Sequence, residues 1–282
     1  MKFLSIQSSV AYGHVGNSAA VFPLQRLGHE VWPVATVQFS NHTGYGAWRG
    51  PLLAPEDVAD VITGIEERGV LGQLDGVLSG YQGSAAIADV VLDAVARVRA
   101  ANPRASYTCD PVMGNATSGC FVHPDIPPML RERVVPAADV ITPNQFELGF
   151  LTGTEPRTME EILAAAELAR KMGPRTVLVT SVNPTGSADD TIGMLVVTDD
   201  GAWNVQTPRL PLKANGSGDV TSALFTAHLL ATDAATALGR TAASVYALLE
   251  ETLRSGEREL RLVAAQDAFV DPPTTFEVQI LR

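Results

Sequence analysis

Apolar and polar positions along the chain follow two alternating periods. Short β-rich runs occupy residues 3–7, 30–39, 76–79, 106–109, 140–142 and 176–180. Between them, residues 19–27, 55–68, 87–100, 126–135 and 160–172 carry helical patterns, with apolar side chains three and four apart. This is the βαβ rhythm of a mostly parallel, twisted sheet with helices on both faces, an α/β/α three-layer sandwich. After residue 180 the rhythm changes. Runs at 192–198 and 203–207, joined through Asp199-Asp200-Gly201, give a β-hairpin signal. Two helical segments then follow, and the last, residues 257–269, closes the chain. With no repeat, low-complexity tract or linker in the series, the pattern predicts one domain over residues 1–282.

Composition narrows the classes. A chain of 282 residues with 46% hydrophobic and 18% charged residues can bury a large core. The net charge of −11 and pI near 4.9 argue against a nucleic acid or an anionic membrane as partner, since those need basic faces. A triphosphate remains compatible, because a local anion site and Mg²⁺ outweigh the global sign. No apolar run approaches the ~18 residues of a spanning helix. The N-terminus reads as a first strand and not as a signal peptide, so the cytoplasm is the expected location. Cys109 and Cys120 are too few for a disulfide scaffold, and with His123 they lack the spacing and the fourth ligand of a zinc site.

Candidate chemistry concentrates at Asn215-Gly216-Ser217-Gly218-Asp219-Val220, where a Pro-containing turn becomes a helix marked by Val220, Ala223, Leu224, Ala227, Leu230 and Ala231. The first helical turn has free amides and the positive end of the dipole. Gly216 and Gly218 let the backbone come close to a ligand and reach φ angles that other residues resist. Two readings are open. In one, Ser217 is an N-cap and Asp219 a dipole-complementing charge. In the other, the amides hold a transferring phosphoryl group and Asp219 is the general base for an attacking hydroxyl.

Other polar segments follow the predicted strands: Gln7-Ser8-Ser9-Val10-Ala11-Tyr12-Gly13, Gln38-Phe39-Ser40-Asn41-His42-Thr43-Gly44, Gly80-Tyr81-Gln82-Gly83, Cys109-Asp110-Pro111-Val112-Met113-Gly114, Thr142-Pro143-Asn144-Gln145-Phe146-Glu147 and Thr180-Ser181. In an open α/β sheet they share the rim where ligands gather. Asp110 and Glu147 can hold Mg²⁺ directly or through water; their plainer roles are a turn opener and a helix N-terminal charge. No P-loop, GxGxxG after the first strand, or nucleophile elbow is present.

These motifs, with Gly13-His14, Gly16-Asn17-Ser18-Ala19-Ala20, Val37-Gln38, Tyr45, Leu78-Ser79 and Val263-Ala264-Ala265-Gln266-Asp267, resemble the pyridoxal kinase family of the ribokinase-like superfamily. The resemblance runs through nearly the whole chain, and its first two motifs are the specific ones. It implies that Ser8, Thr43, Gly44, Tyr81 and Cys120 line the pyridine pocket. Asp110, Thr142, Asn144, Glu147 and Thr180 would face ATP and its metal, and Thr207, Pro208, Arg209 and Leu210 would cover the nucleotide. Gly216, Ser217 and Gly218 would form the anion hole, and Asp219 would activate the 5′-hydroxyl of pyridoxal. Implied besides are Mg²⁺, ATP as co-substrate, an optional monovalent cation and a homodimer. Three positions depart from the family pattern: Ser9, where His is usual, Asn215, where an aliphatic residue precedes the glycine, and Thr180, often Lys in the nearest bacterial branch. The alternatives are a hydroxymethylpyrimidine or small-sugar kinase on the same fold, and a non-catalytic carrier of pyridoxal 5′-phosphate.

Overall fold

The computed structural model describes residues Met1 to Arg282. Its first half alternates β1 (Lys2–Tyr12), α1 (Asn17–Arg26), β2 (Glu30–Asn41), α2 (Pro55–Glu66), β3 (Gly76–Ser79), α3 (Ala86–Ala101) and β4 (Ser106–Cys109). A small hairpin of β5 (Gly114–Asn115) and β6 (Gly119–Cys120) leads to α4 (Ile126–Met129), a π-helical turn at Leu130–Val134 and α5 (Val135–Ala137). Next come β7 (Val140–Ile141), α6 (Gln145–Thr152), α7 (Met159–Arg170), β8 (Thr176–Val182), β9 (Thr191–Val197) and β10 (Ala202–Pro208). The chain ends with α8 (Ser217–Ala231), α9 (Ala234–Ser255) and β11 (Val278–Ile280).

Nine strands form one sheet in the order β11-β10-β9-β8-β7-β4-β3-β1-β2. Pairing is parallel from β2 through β8 and antiparallel across β9, β10 and β11. Neighbouring residues on the strands are buried on opposite faces. Leu4, Val77, Ile141 and Val177 pack with Val58 and Ile62 of α2, Val91 of α3 and Ile162 of α7. Phe3 and Leu78 pack with Leu24 of α1 and Ala223 of α8, and Val140 and Leu178 with Phe225 of α8 and Leu238 of α9. Burial on both faces is what a parallel sheet between two helical layers requires, and the predicted three-layer α/β/α sandwich is the one observed.

Three elements differ from the sequence expectation. First, β1 runs to Tyr12 and β2 to Asn41, so Ser8 and Ser9 are strand residues and not part of a loop. The extension is held by Ser18 of α1, whose hydroxyl accepts the Val10 N–H at 3.1 Å and donates to the Val10 carbonyl at 2.8 Å. Second, residues 257–269 are not a closing helix. Gly256, at φ +67°, ends α9, and only Gln266–Phe269 form a 3-10 turn. The buried Leu260, Leu262, Ala265 and Phe269 in this irregular segment imitate helical spacing while packing between α1, α8 and α9. Third, the chain closes on β11, which pairs Val278 with Val205 at the sheet edge.

Candidate active site

The parallel strands end on one rim, and α8 starts there. Gly216, at φ +86°, precedes its first turn, and a Cβ at this residue would lie 1.8 Å from the His14 carbonyl oxygen. Glycine thus lets the β1–α1 loop close onto the α8 start. Ser217 is the first helical residue and not the N-cap, and its hydroxyl donates to the Ala214 carbonyl at 3.4 Å. Gly218 corrects a second expectation: it lies inside the helix without a positive φ and is exposed. A Cβ there would lie 3.9 Å from Asp110 Oδ2, an ordinary contact, so neither backbone angle nor packing within the protein requires the glycine. The first helical rung is Val220 N–H to the Gly216 carbonyl, so the amides of Ser217 and Gly218 have no helical acceptor, while that of Asp219 turns to its own carboxylate.

Three carboxylates surround this point. Asp110, buried just after β4, is pushed well above the usual carboxylate range by burial first, then by Glu147 and Asp219, with Thr142 opposing. Burial also pushes Glu147 to about 7, against amides of Met113, Asn144 and Gly114. Those amides donate to Glu147 Oε1 at 2.8 and 3.2 Å (Met113, Gly114) and to Oε2 at 2.9 Å (Asn144). Glu147 and Asn144 form a capping box at the start of α6. Burial raises Asp219 to about 6, with the Gly16 amide and its own amide opposing. Asp219 keeps a solvent-facing edge while its carboxyl sits deep among protein atoms. A carboxylate near 6 is basic enough to accept a hydroxyl proton and is largely ionised at neutral pH.

On one side of α8 the structure gathers Thr142, Asn144, Glu147 and Thr180. Thr142 donates to Ser222 of α8 at 3.0 Å, Asn144 Nδ2 donates to the Gly114 carbonyl at 2.8 Å, and Thr180 N–H donates to the Pro143 carbonyl at 2.9 Å. Ser181 beside it is the sole non-glycine residue at positive φ (53°), at the irregularity where β8 leaves regular pairing with β9. Such irregularities re-aim side chains at sheet rims. Thr207 and Pro208 end β10, two strands beyond β8, and Arg209 continues into a turn that binds back to Asp190 and Thr191.

On the other side, Ser8 is buried in β1, and a Cβ on Gly16 would meet its hydroxyl at 2.3 Å, so Ser8 lies by the loop that faces Asp219. Tyr81 packs on Val10, Val15, Val37 and Phe39. Its backbone carbonyl accepts the Thr36 hydroxyl at 2.8 Å. Thr43 and Gly44 lie on a 3-10 turn, Thr43–Tyr45, capped by His42 Nδ1, which accepts the Gly44 N–H at 2.9 Å. A Cβ on Gly44 would lie 3.7 Å from Asn215 Nδ2, which brings this turn to the α8 start. Cys120 is exposed on β6, and no hydrogen bond ties it to these residues.

A sequence profile of the phosphomethylpyrimidine kinase family matches residues 65–262. Relatives that match end to end are more specific. The chain is 69% identical to the pyridoxal kinase PdxY of Leifsonia xyli over 279 residues, covering 99% of each protein. It is 58% identical to the pyridoxal kinase PdxY of Corynebacterium diphtheriae, again over 99% of each. The chain belongs to the pyridoxal kinase family. Among solved structures, the pyridoxal kinase of Leishmania donovani in complex with ADP and pyridoxamine superposes with a TM-score of 0.94 at 29% identity, over 100% of this chain and 99% of that one.

The three departures from the pyridoxal kinase pattern fall in different parts of the site. Ser9 places its hydroxyl 3.5 Å from that of Ser18, Asn215 borders the Gly44 turn, and Thr180 stands at the β8 irregularity. Several neighbours of the site have no role assigned in the sequence reading. Asn17 accepts from the Ser5 hydroxyl at 2.7 Å and donates to the Gln7 and Val34 carbonyls at 3.2 and 2.9 Å, tying α1 to β1 and β2. Gly16 faces Asp219 with its amide. Arg258 and Glu259 reach the Gly44 turn from the segment expected to be helical. Gly256, directly after Arg254-Ser255, signals the end of α9, but it precedes the 257–269 run and carries no signal that Arg258 and Glu259 lie in a loop.

Proposed function

We infer that the chain transfers the γ-phosphoryl group of ATP to the 5′-hydroxyl of pyridoxal, giving pyridoxal 5′-phosphate. The observation that carries the site assignment is Asp219 in the first turn of α8, raised to about 6, beside amides that have no helical acceptor. Asp219 takes the hydroxyl proton as the new O–P bond forms and the bond from the γ-phosphorus to the bridging oxygen breaks, releasing ADP. Developing negative charge on the transferred group meets the amides of Gly216, Ser217 and Gly218 and the helix dipole. Ser8, Thr43, Gly44 and Tyr81 hold the pyridine ring, with Tyr81 as its aromatic wall. Asn144, Thr142 and Thr180 border the nucleotide phosphates, and residues 207–210 lie over the rest of ATP.

The donor set fits Mg²⁺. Asp110 is a buried carboxylate without a basic partner, whereas Glu147 already accepts three amides. One or two carboxylates plus substrate phosphates is the ligand set Mg²⁺ commonly takes. Asp110 would hold the ion, directly or through water, with Glu147 behind it. Once bound, Mg²⁺ offsets phosphate charge. The same reading includes a single catalytic domain, a homodimer and a cytoplasmic location; no helix is long and apolar enough to cross a membrane.

The phosphomethylpyrimidine kinase profile keeps a second reading in view, a kinase for hydroxymethylpyrimidine. ATP turnover with pyridoxal, pyridoxine, pyridoxamine and hydroxymethylpyrimidine separates the two. Preference for the pyridines supports the first reading, and preference for the pyrimidine overturns it.

A further inference from the structure

Three consecutive residues after α9 touch three separate parts of the site. Arg258 donates through Nη2 to the Gly44 carbonyl at 3.0 Å, and its guanidinium carbon lies 3.8 Å from the centre of the Tyr45 ring. Glu259 accepts the Tyr45 hydroxyl on Oε1 at 2.5 Å and the His14 N–H on Oε2 at 3.1 Å. Leu260 is buried against Gly216, where a Cβ would lie 3.3 Å from Leu260 Cδ1. Tyr45 also leans on Tyr12, with ring centroids 6.1 Å apart. These bonds span 214 residues to the Gly44–Tyr45 turn and 245 to the His14 loop.

The two carboxylate oxygens of Glu259 therefore have different partners. One holds the turn that carries Thr43 and Gly44. The other holds the loop whose His14 carbonyl covers Gly216 and whose Gly16 amide faces Asp219. Charge-assisted bonds of this kind are among the stronger ones, and Arg258 over the Tyr45 ring adds a cation–π contact. The bond to Glu259 pushes the Tyr45 phenol up to about 12.

We propose that Arg258 and Glu259 form a latch that fastens the Thr43–Tyr45 turn to the Gly13–Gly16 loop, so that the pyridine pocket and the anion hole close as one unit. Both are positioning residues. They reach the reaction through the turn and the loop, and the inference rests on the pyridoxal kinase reading for its kinetic consequences. Catalysis depends on such positioning because the hydroxyl, the base and the phosphoryl group must be held in register.

The test combines hydrogen exchange with steady-state kinetics on the full chain. In Glu259→Ala, amide exchange rises together in segments 13–16 and 42–46. The KM for pyridoxal rises and kcat falls, each by about 10-fold, the effect of losing a charge-assisted bond, while the KM for ATP stays within about twofold. Tyr45→Phe loosens segment 42–46, and adding it to Glu259→Ala brings little further loss, because both remove one bond. Glu259→Gln, which keeps one good acceptor, recovers part of the pyridoxal KM. Faster exchange in only one segment, or in neither, overturns the latch. So does a lowered melting temperature with KM and kcat at wild-type values, the mark of a purely structural tie. A wild-type protein without pyridoxal-dependent turnover would instead sink the kinase reading, while the exchange data still decide whether the latch exists.

Discussion

The carbonyl of His14 and the α-carbon of Gly216 meet so closely that a single methyl group cannot fit between them: a Cβ at Gly216 would lie 1.8 Å from that oxygen. Gly216→Ala adds this clash to a φ of +86° that disfavours a side chain. It should cost roughly 1–3 kcal/mol of stability and push the β1–α1 loop away from Asp219. Gly218→Ala is the contrasting case. With an ordinary φ and 3.9 Å of room, it should unfold at the wild-type temperature yet slow turnover by about 100-fold, because the added methyl stands where the phosphoryl group approaches the amides. Thermal unfolding and kcat, measured on both variants, separate the two effects; a Gly218→Ala enzyme with full activity would move the anion hole elsewhere.

Asp219→Asn should lower kcat by about 10²–10⁴-fold with pyridoxal affinity little changed, since the amide keeps size but loses basicity. The same variant should be more stable than wild type at pH 7. Asp219 has a folded pKa near 6 against an ordinary 3.8, so its neutral form is favoured by the fold. Its contribution to stability is fully present below pH 4 and lost as pH rises through 6, a loss of about 3 kcal/mol. Chemical denaturation at pH 5 and pH 7 checks this: the gap between wild type and Asp219→Asn should widen toward pH 7. A less stable variant would mean that Asp219 is held by favourable partners and not strained by burial.

The acid limb of activity has the same origin. The dependence of kcat/KM on pH reports groups of the free enzyme, and a base must be ionised to act. kcat/KM for pyridoxal should therefore fall as pH drops through about 6, the value of Asp219. This limb should vanish from the residual activity of Asp219→Asn. If it persisted unchanged, another group would be the titrating base.

The alternation of apolar runs made the layered sheet legible because strands buried on both faces and helices buried along one stripe have different periods. Residues adjacent to a rim strand, such as Asp110, Asn144 and Asp219, were legible for the same reason: the end of a predicted strand or the start of a predicted helix locates them. What stayed hidden depends on contacts between distant residues. Ser8 and Ser9 look like loop residues because the bonds that keep β1 extended come from Ser18 on the following helix. Glu259 meets Tyr45 and His14 across more than two hundred residues, which no local pattern encodes. The apolar spacing of Leu260, Leu262, Ala265 and Phe269 even favoured the wrong element, because an irregular segment packed against helices can bury the same stripe.

Cys120 gives a test of vitamer choice. A thiol adds reversibly to the aldehyde of pyridoxal, forming a carbon–sulfur bond as the carbonyl oxygen takes up the proton; pyridoxine has no aldehyde to use. Cys120 is exposed on the hairpin whose first residue, Gly114, binds both Glu147 and Asn144. Cys120→Ser should lower kcat/KM for pyridoxal and leave pyridoxine unchanged. Equal losses on the two substrates would reduce Cys120 to a packing role in the hairpin.

The most direct test of the central claim is product formation by the purified chain with ATP, Mg²⁺ and pyridoxal, following ADP and pyridoxal 5′-phosphate together. Both products should form in equal amounts, only when pyridoxal is present, and fall to about a hundredth or less in Asp219→Asn. Tight binding of pyridoxal 5′-phosphate without ATP consumption, or ATP consumption indifferent to pyridoxal, would contradict it.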